Sequence, residues 1–333
     1  MSSTLRETSP AQHLAVQTSS VPTLHDCRPR RLLVVLALDP AGNESLLLQA
    51  AAWSRLFHGE AFALDVMSPQ RIRSPVLYSL DGRPRHSAGL HGQPLSLLPT
   101  GHIAATRRDD ASHPNSPATQ RDVHDVVTAV VAEIGADLIL LPRWSSARSR
   151  PTFDTGDFAT RLVRSLQVPC LVMDHPFPGG AIVAATDLTD PTFPVVRYAA
   201  QLAREAGGDV TLMHNLDTVP IGPLLMGFVG PTVLLALNHP DRSLRQASQR
   251  LEAAASQSQL HATRRITRES DTTATILAVA AEQHANLIIT GTHPRARFRL
   301  FPRFSVADAV VAHASCSVLT VPLYIRQPQT TVA

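Results

Sequence analysis

The chain contains no lysine: all 30 of its basic residues are arginine. That excludes a phosphate-loop lysine, a Schiff-base lysine and control by lysine acetylation. A genome biased toward arginine codons explains the absence without a functional cause. Cysteine is almost as scarce. Cys27, Cys170 and Cys316 are odd in number and widely spaced, so they form neither a disulfide framework nor a zinc motif. They read as reduced, buried thiols of a cytosolic protein. Aromatic residues make up 5% of the chain and the net charge is only +3, which argues against a nucleic-acid partner. The longest uncharged stretch, 218–238, is interrupted by Pro220, Pro223 and Pro231 and so excludes a membrane-spanning helix. The first 29 residues have no apolar run resembling a signal peptide. A soluble, cytoplasmic protein is expected.

Signatures of catalysis are missing as well. No Gly-x-Ser-x-Gly elbow occurs, and no Cys/His pair has a catalytic context. Among 15 histidines, His86, His91, His102 and His113 show no common metal-ligand spacing. They read as scattered surface residues, and no metal site is expected. His214, at a strand end, reads as a satisfied edge histidine. Asp187 and Asp190 read as loop caps on the following helix rather than as a carboxylate pair.

What the chain does have is a long internal repeat. Residues 31–67 and 181–216 each run apolar strand, Asp, loop, amphipathic helix, Gly, apolar strand. Residues 136–173 and 285–322 each run apolar strand, polar loop, helix, apolar strand. Ala-Asp-Leu-Ile-Leu-Leu at 136–141 answers Ala-Asn-Leu-Ile-Ile-Thr at 285–290, and Gly59-Glu60 answers Gly208-Asp209. A period of roughly 145 residues is too long for a solenoid and of the right size for a domain.

Strands alternating with helices predict a doubly wound parallel sheet with helices on both faces and ligands at the carboxyl edge. The fold class expected is α/β, two tandem domains of five parallel strands each. The boundaries are a flexible tail over 1–29, a first domain over 30–175 with an irregular insertion at about 68–102, and a second over 181–324. First-half strands are expected at Leu32–Leu38, Ala61–Met67, Ile103–Arg107, Leu138–Leu141 and Cys170–Met173. The second half predicts strands at Ala181–Thr186, Asp209–His214, Thr263–Thr267, Asn286–Thr290 and Ser317–Pro322. Asp271 is expected to cap the helix that follows it. The Pro/Gly-rich apolar segment 219–237 reads either as a lid over its own core or as one wall of an apolar pocket.

This organisation resembles tandem universal stress proteins. Glu269–Ala280 followed by Ala285–His293 is similar to the family's approach to its phosphate loop. Phe153–Phe158 through Cys170–Gly179 looks like the domain junction of E-type tandem members. The resemblance spans residues 31 to 324 and implies pairing of the two halves through their last strands, within one chain. It also implies ATP binding through Gly-x2-Gly-x9-Gly-Ser/Thr after the fourth strand. There glycines admit backbone donors to the phosphates and a helix N-terminus adds positive potential.

This sequence departs from that motif. In the second half Gly291 matches the first glycine, but Pro294 and Phe304 replace the other two. Ser305 keeps the hydroxyl and Asp187 keeps the carboxylate at the end of the first strand. Arg295 and Arg297 crowd the same loop, either to grip phosphate bidentately or as a solvated basic loop. In the first half Pro142 and Ser145 replace two glycines, Gly156 matches the third, Asp157 replaces the hydroxyl and Asp39 is the strand-one acid. An anionic Asp157 would repel a triphosphate. The reading is therefore a non-enzymatic stress-response protein, an intramolecular pseudo-dimer that binds a protein partner or a small, apolar ligand, with its ATP loops degraded. The alternative is an ATP-binding switch or slow ATPase that uses the second half.

Overall fold

A computed structural model describes residues 27–36, 40–65, 76–80, 120–143, 155–174, 179–190, 192–216, 240–267, 271–292 and 305–323. Ten strands form one continuous sheet. They are β1 (Arg31–Val35), β2 (Glu60–Asp65), β3 (Val76–Leu80), β4 (Leu138–Pro142), β5 (Cys170–Met173), β6 (Ile182–Ala185), β7 (Val210–Asn215), β8 (Thr263–Thr267), β9 (Leu287–Thr292) and β10 (Ser317–Pro322). Their spatial order is β3-β2-β1-β4-β5-β10-β9-β6-β7-β8. The central strands are rich in Val, Ile and Leu, with Thr, Ser and Gly among them in β9 and β10, and are almost entirely buried, as a sheet covered on both sides requires.

Helices α1 (Pro40–Phe57), α4 (Pro194–Ala206) and α5 (Pro240–Gln257) cover one face. The other face carries α2 (Gln120–Ile134), α3 (Thr155–Leu166), α6 (Thr272–Glu282) and α7 (Val306–His313). The side chains alternate accordingly: Leu287 and Ile289 enter one core, Ile288 the other. As expected, Asp271 caps α6, accepting the Ala274 amide at 3.0 Å.

The repeat is visible atom by atom. Asp137 accepts the backbone N–H groups of Arg30 and Arg31 at 2.8 and 2.9 Å, tying the start of β1 to β4. In the second half Asn286 accepts from Ala181 at 3.2 Å, tying β6 to β9 in the same way. Burial pushes the Asp137 carboxyl above its ordinary range, and the two amides pull it back down.

The halves meet along β5 and β10, which run antiparallel with Val318 opposite Val172, Leu319 opposite Leu171 and Thr320 opposite Cys170. Leu171 stands beside Leu140 in β4, as Leu319 stands beside Ile289 in β9. The two leucines are thus repeat counterparts, and a local two-fold axis passes through their pair. Leu171, Val172, Val318 and Leu319 are fully buried, at roughly 1.5–3 kcal/mol of apolar transfer each.

Three sequence expectations need correction. The irregular insertion holds a strand, β3, which pairs antiparallel with β2 in the register Ala61–Leu80 to Asp65–Val76. Val-Leu-Tyr-Ser-Leu is a β-favouring run, obscured by the prolines and arginines around it. The first half is therefore not purely parallel. The segment before β1 is not all tail: Pro29 is buried and Arg28 reaches Glu205 of α4 at 2.6 Å. Cys170 and Cys316 are buried, but Cys27 is only half-buried. The strand expected at Ile103–Arg107, the segment 219–237 and His86, His91, His102 and His113 lie outside the described residues.

Candidate functional site

The carboxyl ends of β6 and β9 and the N-terminus of α7 form the second half's expected ligand edge. Gly291 is the fifth residue of β9. A methyl group on its Cα would come within 2.9 Å of Leu323 Cγ and closer still to Cδ2. Leu323 is buried and follows β10 directly, its N–H on the Thr292 carbonyl. The space left by the missing side chain is therefore filled from within. Ser305 is the N-cap of α7, and its Oγ accepts the Asp308 N–H at 3.4 Å. Asp187 is exposed and accepts both the N–H and the hydroxyl of Thr189, at 3.0 and 2.9 Å. Gly291, Ser305 and Asp187 each have an internal partner. Arg295, Arg297, Pro294 and Phe304 lie outside the described residues.

Asp190 does not cap α4 either. It accepts the Thr192 N–H and hydroxyl at 2.9 and 2.7 Å, so both acids close turns in the loop itself. The helix starts instead with Pro194 behind Phe193, which has a left-handed backbone and no side-chain cap. His214 sits with Nδ1 2.8 Å from the Thr186 carbonyl, a satisfied edge position.

In the first half, the buried triplets Ala159, Leu162, Val163 and Ala307, Val310, Val311 match α3 to α7. That match puts Asp157 at Ser305's position and Gly156 at Phe304's. α3 starts one turn earlier than α7, so Asp157 lies inside its first turn and ion-pairs with Arg161 at i+4. Asp39 lies outside the described residues.

Sequence reasoning missed the groups that cross the junction. Arg143, at the end of β4, donates to the carbonyls of Val311 and Cys316 at 2.6 and 2.8 Å and pairs with Asp174 at 3.1 Å. It thereby satisfies the open carbonyl end of α7. Arg164, in the last turn of α3, reaches the opposite end of α7. Its Nε donates to Thr292 Oγ1 at 3.0 Å and its Nη2 lies 3.6 Å from Asp308 Oδ1. Burial raises the Asp308 carboxyl above its ordinary range; the Thr160 and Ser305 hydroxyls and Arg164 oppose that, while Asp157 adds to it. Burial also pushes the Cys316 thiol up to about 11, which leaves it protonated and a poor nucleophile. One signal for these groups was present. The repeat sets Arg164 against Ala312, and Ser-x-x-Asp at 305–308 is a capping pattern.

Among the described residues no group of three or more His, Cys, Asp or Glu converges as a metal site. Nor is any helix there long and apolar enough to cross a membrane.

Residues 180–322 match the model of the universal stress protein family. No curated protein matches the chain. Among solved structures, the chain is similar to a functionally unknown protein from Pseudomonas aeruginosa PAO1, at 15% identity and a TM-score of 0.56, covering 89% of this chain and 93% of that one. It is also similar to a structure titled as a universal stress protein from Pseudomonas aeruginosa UCBPP-PA14. There the identity is 14% and the TM-score 0.55, over 89% of this chain and 94% of that one. At these identities the likeness concerns the fold.

Proposed function

With residues 180–322 forming a universal stress protein domain, we propose that the chain is a tandem stress-response protein that acts by binding rather than catalysis. Its two halves form within one molecule the pair that separate single-domain chains would form between molecules. The antiparallel contact of β5 with β10 supports that reading, and linkage keeps such a contact closed at any concentration. The ligand is a protein partner or a small apolar molecule, and the compartment is the cytoplasm, in keeping with two unpaired thiols inside the core.

The observation that carries the non-nucleotide reading is Leu323 seated against Gly291. In the family's chemistry that glycine leaves its backbone open to phosphate; here it leaves room for a core leucine. Titration of the full chain with ATP and Mg²⁺ in a calorimeter tests it. No heat of binding is expected at micromolar ligand. A dissociation constant below about 10 μM, near −7 kcal/mol, overturns the proposal. It would favour the second reading, an ATP-binding switch through Asp187, Gly291, Ser305, Arg295 and Arg297. A bulky residue at 291 is no control for that experiment, because it would displace Leu323 whether or not nucleotide binds.

A further inference from the structure

We propose that Arg164 of the first half is the positioning residue that fixes both ends of the second half's β9–α7 connection. One guanidinium joins the last residue of β9, through a hydrogen bond from Nε to Thr292 Oγ1 at 3.0 Å, to the third residue of α7, through an ion pair of Nη2 with Asp308 Oδ1 at 3.6 Å, beyond hydrogen-bond reach. Thr292 is buried, and the Arg164 and Asp308 side chains are only 14% and 29% exposed. The planar fork of arginine holds its donors in a fixed relation, which a lysine could not do. The charges also suit the helices that carry them. Arg164 lies in the last turn of α3 and Asp308 in the first turn of α7, each at the helix end where its sign is favoured.

The matching of α3 to α7 sets Ala312 where the first half has Arg164, so the second half has no arginine at the equivalent position. Its contacts to the first half include Asp308 against Thr160 of α3, and Ser317, whose Oγ accepts the Asp174 N–H at 3.2 Å. At the first half's edge the contact is again made by a first-half residue, Arg143. The first half therefore sets the spacing between β9 and α7, and whatever binds at that edge is subject to it. This holds whether or not the edge takes a nucleotide.

Hydrogen–deuterium exchange on the full chain tests the assignment. In Arg164→Met, amides at 290–292 and at 305–308 should exchange about tenfold faster, while those of β5 and the middle of β10 stay within about twofold of wild type. Thr292→Val removes only the hydrogen-bond acceptor of Nε and should speed exchange at 290–292 alone; Asp308→Asn removes only the ion pair and should do so at 305–308 alone. Unchanged exchange at either end in Arg164→Met overturns the proposal. So does an equal rise across β5 and β10, which would make Arg164 a general junction contact. If Arg164→Met does not fold, the two single-partner variants decide: a rise confined to its own end in each supports the tie, and any other pattern refutes it.

Discussion

Substitution of Gly291 by alanine separates the two roles a glycine can have at the end of β9. Where a glycine only leaves space for an approaching ligand, alanine costs nothing in the free protein. It even stabilises by about 0.4–1 kcal/mol, because the unfolded chain loses freedom. Where the glycine makes room for a core side chain, the new methyl must displace it. The added carbon would lie 2.9 Å from Leu323 Cγ, about half an ångström or more inside ordinary contact. Leu323 is 4% exposed and packs with Val321 and Ile289, so it has nowhere to rotate without disturbing its neighbours. Overpacking of that kind costs about 1–3 kcal/mol.

A double-mutant cycle makes the argument quantitative. Leu323→Ala empties a buried leucine site and should cost about 2–5 kcal/mol. In the double variant the alanine methyl at 291 enters the space vacated by the leucine. The combined loss should fall short of the sum by at least about 1 kcal/mol, since groups in contact couple. Urea unfolding followed by circular dichroism reads all three values, and the slopes should stay equal so that midpoints report stability. Additive losses, or a stabilised Gly291→Ala, would refute the packing role and reopen the second half's edge to phosphate.

Two further outcomes follow from the junction and the repeat. The hydroxyl of Thr320 is fully buried beside β5 and makes no hydrogen bond. Thr320→Val should therefore raise stability by about 1 kcal/mol; a loss of stability by urea unfolding would show that the hydroxyl has a polar role at the junction. Asp137 tests linkage. Burial holds its folded carboxyl above the ordinary carboxylate value, so the folded state binds its proton more tightly than the unfolded state. Its contribution is complete below about pH 4 and is lost as pH rises through the raised value. Asp137→Asn, the residue type the second half uses at 286, lacks that slope. Its melting temperature relative to wild type should climb between pH 4 and pH 7; a flat difference would mean that the two amides on Asp137 cancel its burial, and a falling one that they outweigh it.

The strands were legible because burial on both faces demands unbroken apolar runs, and such runs recur at matched places in each half. Leu-Ile-Leu-Leu at 138–141 and Leu-Ile-Ile-Thr at 287–290 became β4 and β9. The tie from Asp137 or Asn286 to the strand beside it was written in the same repeat. β3 was not legible: a short edge strand has one neighbour and little burial, so its sequence need not keep a period. The packing against Gly291 was only half legible. Pro294 and Phe304 pointed toward blockage within the loop. The group that meets Gly291 is Leu323, which lies far from the loop in sequence and directly follows an apolar strand, where a leucine carries no distinctive signal.

The same comparison explains why the two halves differ. In a symmetric dimer of identical chains any junction residue appears twice, so a charge that suits one side must suit the other. Fusion removes that constraint. Asp308 is the counterpart of Thr160, and the two face each other near the local axis. In an identical pair both would be carboxylates, facing across a partly buried contact where like charges disfavour ionisation. With a hydroxyl on one side and Arg164 on the same helix, a single carboxylate can be kept. The two halves accordingly carry different groups at matched places. The first has an acid at 157 and the arms at 143 and 164. The second has Gly291 against Leu323 and Ser305 on its own helix.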